Sequence, residues 1–103
     1  MKKHTIFLFL FVAHVINALG QAHKNDAARY EIDAKRIGVS IYNKDALPRS
    51  REFIRLDSTY YVGWMYEGMY KYHRSADYLG FKYAIHSLQK AFDLLVKDYD
   101  GQM

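Results

Sequence analysis

The chain has 103 residues, 50% of them hydrophobic and 25% charged, with one proline and no cysteine. That balance excludes a disordered chain and a disulfide-stapled fold, and the length suits one compact domain. A net charge of +4, part of it at the extreme N-terminus, is too weak to signal nucleic-acid binding.

Lys2 and Lys3 precede the unbroken apolar run TIFLFLFVA, and small residues follow at Ala18, Gly20 and Ala22. Positive, apolar, then small is the layout of a secretory signal peptide. Residues 1–20 are therefore expected to be a signal, cut after Gly20 or Ala22. The run is short of the ~20 residues that span a bilayer, and His14 and Asn17 interrupt its second half. Membrane contact is expected only through an uncleaved signal, and the destination is the periplasm or the extracellular space. Cleavage removes Lys2 and Lys3 and lowers the net charge by two.

Residues 25–38 open on Asn25 and Asp26, good N-caps, and close on Gly38, a good helix stop. Ala27, Tyr30, Ala34 and Ile37 recur at helical spacing and predict the apolar face of a first helix. After the loop VSIYNK, Asp45 can cap a second helix. Pro48 falls in its first turn, where the missing N–H costs nothing, and Leu47, Phe53, Ile54 and Leu56 give it an apolar side.

The third helix is expected from about Ser58 to Tyr72. At 100° per residue, Glu67 and Lys71 stand one turn apart as a favourable ion pair. Apolar residues cover more than half of the rest of the cylinder, wider than the stripe of a one-sided surface helix. A helix sandwiched between neighbours on two sides is predicted. The fourth helix keeps a clear rhythm through Phe81, Ala84, Ile85, Leu88, Phe92, Leu95, Val96 and Tyr99. Lys82, His86, Gln89, Asp93 and Lys97 take its other face. Gly80 is expected in its first turn, and residues 100–103 form a short tail. No alternating run demands a strand, so the fold class is all-α.

Tyr30 and Trp64 are 34 residues apart, as are Ala34 and Gly68 and also Asp33 and Glu67. In the second helices Ala46 corresponds to Ala84, Leu47 to Ile85 and Leu56 to Leu94. These are 38 apart, which four extra residues in the loop HRSADYLG explain. This pattern resembles the tetratricopeptide repeat, a 34-residue helix–turn–helix unit. The segment DALPRSREFIRLDSTYYVGWMYEG is similar to a second helix of that family passing into the next first helix. Ala46, Trp64 and Gly68 fall at signature positions, and Ala84, Leu88 and Ala91 supply the small, large, small series that follows. Over roughly residues 27–98 the resemblance implies two antiparallel helix pairs stacked as a short solenoid. The chain departs from the family's pattern at Asp33, Glu67 and Lys71, where packing residues are usual, and at Ser50, Phe53 and Ser58. Trp64 is expected to be a core anchor, with Gly68 and the Ala84–Ala91 seam allowing close helix approach.

The resemblance further implies a groove lined by the first helices. Val62, Met65, Met69 and Tyr72 would line it, with Ala28, Glu31 and Lys35 beside them. Methionine and tyrosine suit a peptide or helix of another protein, or a second copy of the chain. The expected function is an exported, non-enzymatic interaction or scaffold module of the bacterial cell envelope. No cofactor, metal or nucleic acid is expected: cysteine is absent, His23, His73 and His86 are scattered, and no phosphate loop or G-x-S-x-G turn occurs. A carbohydrate binder using Tyr66, Tyr70 and Tyr72 as stacking platforms is the alternative. A small enzyme centred on Glu67 is weaker still.

Overall fold

The computed structural model describes residues 25–102, all helix and turn with no strand among them. The expected signal peptide and its cleavage points at Gly20 and Ala22 lie outside these residues. Helix α1 covers residues 25–36, α2 runs Ala46–Leu56, α3 Tyr61–Arg74 and α4 Tyr78–Gln102.

Local chemistry accounts for most of the boundaries. Gly38 adopts φ +84, a left-handed conformation cheap only for glycine, and the Val39 N–H donates to the Arg36 carbonyl at 3.1 Å, ending α1. Pro48 is the third residue of α2, where no intrahelical partner for its nitrogen exists. Asp45 stands at the head of α2, but its carboxylate makes no capping bond; its own N–H donates to Asn43 Oδ1 at 3.1 Å. The third helix starts at Tyr61 rather than Ser58. The Asp57 carboxylate accepts from the Thr59 N–H at 2.9 Å and the Thr59 hydroxyl at 2.6 Å, which folds residues 57–60 into a turn first. Asp77 is a true N-cap: its Oδ1 accepts from the Gly80 N–H at 2.8 Å, placing Gly80 in the first turn of α4.

Helix α3 packs against α2 on one side and α4 on the other, as its broad apolar arc requires. Two glycines five residues apart open the two contacts. A Cβ on Gly63 would meet Ile54 Cγ1 at 2.8 Å and the Ile54 backbone nitrogen at 2.9 Å. On Gly68 it would meet Leu88 Cγ at 2.6 Å and the Leu88 nitrogen at 3.0 Å. Opposite Gly68, α4 turns a flat seam inward: Ala84, Ser87 and Ala91 are all buried. Ala46 is buried in the same way on α2.

The core centre is Ile32, Phe53 and Val62, each fully buried, with Leu56, Tyr60, Tyr61 and Tyr66 packed around it. Three sequence expectations change here. Helix α1 buries Ile32 and leaves Ala27, Tyr30, Ala34 and Ile37 outside; Tyr30 is 79% and Ile37 82% exposed. Polar anchors turn the helix this way, as described below. Trp64 is only half-buried, with its indole N–H donating to the Ser58 carbonyl at 3.0 Å, so the aromatic anchor of the core is Phe53. Along α4 the small residues face inward, and the large apolar residues Ile85, Phe92, Leu95, Val96 and Tyr99 face outward. Helix α4 is about 37 Å long against about 21 Å for α3, at 1.5 Å per residue, so its last turns extend past the start of α3.

Candidate protein-docking cleft

The last turn of α3, the first turns of α4 and the α1–α2 loop enclose a cleft of about 470 Å³. Ile41, Met69, Tyr72, Phe81 and Leu88 give it an apolar lining, and His73 and Ser75 stand at its margin. The wall is ordered by ring contacts. Tyr72 and Phe81 meet edge to face with centroids 5.4 Å apart, and Tyr42 stands edge-on to His73 at 4.5 Å. Arg74 places its guanidinium 5.3 Å from the Tyr70 ring centre and donates to the Tyr42 carbonyl at 3.4 Å, tying the α1–α2 loop to the end of α3. His73 stands at the margin itself, and Arg74 and the N-capping Asp77 lie beside it.

The residues expected to line one groove are therefore divided. Met69 and Tyr72 open on the cleft. Met65 is half-buried and does not line the cleft. Val62 is fully buried with Ile32 and Phe53 and lines no open surface, because α1 packs over it. Glu31 and Lys35 form an ion pair on α1 at 2.8 Å, and Lys35 also reaches Glu52 of α2 at 3.0 Å; these charges fasten two helices together. Ile41, Phe81 and Leu88 were missed as lining residues. Phe81 read only as a member of a regular apolar rhythm, Leu88 as that and as the large residue of the repeat-like series, and Ile41 belongs to a loop with no pattern of its own.

The repeat-signature positions are also placed unequally. Gly68, Ala84, Leu88 and Ala91 meet at the α3–α4 contact, and Ala46 is buried on α2. Ala34, 34 residues before Gly68, is exposed, and Tyr30 is open where Trp64 is half-covered. Glu67 is buried and paired with Lys71. Tyr66 and Tyr70 are half-buried, and exposed Tyr72 is set edge-on to its neighbour at 63°. Of the three rings named for a sugar platform, only Tyr72 is exposed.

A second cluster lies where α1 meets the α2–α3 turn and the overhang of α4. Arg29 donates to Asp57 and to Asp98, each at 3.3 Å, and lies 4.9 Å from the Tyr60 ring centre. The Tyr60 hydroxyl donates to Asp33 at 2.8 Å. Burial, with the carboxylate beside it, pushes the Tyr60 phenol up to about 12. Burial pushes Asp57 up, but its bonds from Thr59 and Arg29 outweigh that, and its carboxyl stays below the usual range. The Arg29 guanidinium is held above its ordinary value; burial lowers it, and Asp57 and Asp98 more than compensate. Every buried polar side-chain atom among the described residues has a partner, so this cluster is a structural clasp.

Among the described residues no His, Asp and Glu group is arranged to hold a metal ion, and no helix is long and apolar enough to cross a membrane. No protein-family model, curated protein or solved structure matches the chain.

Proposed function

We propose that this chain is a non-enzymatic docking module whose α3–α4 cleft receives an apolar-anchored segment of another protein flanked by acidic residues. The cleft itself carries the reading: about 470 Å³ of apolar, partly methionine-lined space with His73 at its margin and Arg74 next to it in the chain. Methionine and edge-packed rings adapt to varied apolar side chains, and the Arg74 guanidinium beside the cleft favours an acidic flank. The chain's own architecture is proposed to be tetratricopeptide-like, supported by the sandwiched α3 and by the close contact of Gly68 with the Ala84–Ala91 seam. Export to the periplasm or beyond, and a scaffold role in a bacterial envelope, rest on the charged, apolar and small segments of residues 1–22.

A peptide array tests this reading. Amphipathic peptides with one large apolar anchor and acidic flanks are compared with the same peptides bearing basic flanks, and binding is followed by the methionine methyl resonances of the intact chain. The expected result is saturable binding of the acidic set that perturbs the Met69 methyl, weakens with salt and is lost in Met69→Asp. If no peptide saturates at millimolar concentration, or if Met69→Asp leaves binding unchanged, the cleft is not a docking site.

A further inference from the structure

The outward face of α4 is a second apolar surface, separate from the mouth of the cleft. Ile85, Phe92, Leu95, Val96 and Tyr99 fall on one stripe of the helix about 100° wide. Phe92 is 60% exposed, Tyr99 63% and Ile85 57%. With Tyr78 and Phe81 at its head, the stripe presents on the order of 700 Å² of side-chain area, taking roughly 150–250 Å² for a full aromatic side chain. That exceeds the largest apolar patch of a typical monomer, about 300–600 Å². It is close to the ~800 Å² that each partner contributes to a stable interface.

Two features of the stripe say what fits it. Its apolar order reads nearly the same in both directions about residue 90: Phe81 mirrors Tyr99, and Ile85 mirrors Leu95. The flank facing away from α3 carries Lys82, Gln89, Asp93 and Asp100, basic toward one end and acidic toward the other. When two helices pair antiparallel, each flank meets the same flank of its partner. Lys82 of each copy then stands within a turn of the partner's Asp100, and Gln89 beside the partner's Asp93. A parallel pair would place like charges at the same level and turn this flank toward the side already occupied by α3.

We infer that the α4 stripe is the contact surface for a second copy of this chain, with the two α4 helices antiparallel across a two-fold axis near residue 90. A two-fold contact uses one self-complementary patch twice, and both the apolar order and the charge order of α4 have that property. This inference goes beyond the cleft reading; Phe81 borders both surfaces, but Phe92 belongs only to the stripe and Met69 only to the cleft, so either can fail alone.

The chain has no cysteine, so introduced thiols report without background. Lys82→Cys and Asp100→Cys are made in the intact chain, oxidised separately and mixed, while sedimentation gives the mass of the unmodified protein. The expected result is a dimer in solution, with strong cross-linking in the mixture and weak cross-linking of either variant alone. Phe92→Asp, at a position open to solvent in the single copy, is expected to keep the helix content and weaken the dimer at least about tenfold. Preferential self-cross-linking of Lys82→Cys would overturn the antiparallel arrangement. A monomer throughout would end the proposal. Association that survives Phe92→Asp would place the contact elsewhere and end it equally.

Discussion

A Cβ on Gly68 would stand 2.6 Å from Leu88 Cγ and 3.0 Å from the Leu88 backbone nitrogen, so α3 and α4 touch almost backbone to backbone at that point. The flexible end of a side chain could move aside; a backbone nitrogen in mid-helix cannot without shifting α4.

Gly68→Ala is therefore expected to destabilise the fold by about 1–2 kcal/mol. The overpacking cost of about 1–3 kcal/mol outweighs the up to ~1 kcal/mol that alanine gains in a helix. Gly101→Ala is the control, because nothing lies within 4 Å of its added methyl. Urea midpoints should fall for the first variant and stay level or rise slightly for the second; equal behaviour would contradict the close contact.

Phe53 and Trp64 make an ordered pair of truncations. Phe53 is fully buried beside Ile32 and Val62, whereas Trp64 is half-covered and hydrogen-bonded at the surface. Phe53→Ala should cost about 3–5 kcal/mol and unfold the domain. Trp64→Ala, despite the larger side chain, should cost about half as much. Circular dichroism of both variants at one temperature decides the order.

The Tyr60–Asp33 bond has a pH signature. Its phenol titrates near 12 in the fold, above the ordinary value of 10.0, so the stabilising protonated form is fully present below pH 10. From there toward 12 the unfolded chain ionises and the folded chain does not, and the contribution is lost. Tyr60→Phe should cost about 1 kcal/mol at pH 8. The difference from the parent should shrink as pH approaches 12, read as converging urea midpoints.

Asp57 acts at the opposite end of the scale. Its carboxyl is held below 3.8, so its contribution is complete above that value and disappears as pH falls through the lower folded value. Asp57→Asn should cost about 1–3 kcal/mol at pH 7, because it removes the carboxylate that Arg29 and Thr59 engage. The variant's stability should also change less than the parent's between pH 5 and 2. A parallel acid dependence of the two proteins would remove Asp57 from the clasp.

Of the candidate cleft, Met69 and Tyr72 were legible because both belong to one strongly patterned helix. Ile41 and Phe81 were not, since they come from separate segments and become neighbours only when α4 folds back along α3. Val62 was misassigned because its position on the α3 wheel fits either an open groove or a core. Only the placement of α1 over it decides between them.

The sequence by itself determined what depends on neighbours within a turn or two. It specified four helices and the glycine stop at 38, tolerated Pro48 in a first turn, paired Glu67 with Lys71, and marked the small residues at 68, 84 and 91. The tertiary structure alone decided which face each helix buries. Helix α4 carries a small-residue stripe and a large-residue stripe, and periodicity cannot choose between them. At Gly68 the helices approach so closely that Ala84, Ser87 and Ala91 turn inward, with Leu88 seated over the glycine. Helix α1 was turned in the same way by partners distant in the chain, with Arg29 reaching Asp57 and Asp98 and Asp33 receiving Tyr60. Contacts between residues far apart in sequence leave no trace in a local pattern, and here they set the orientation of the first helix and of the last.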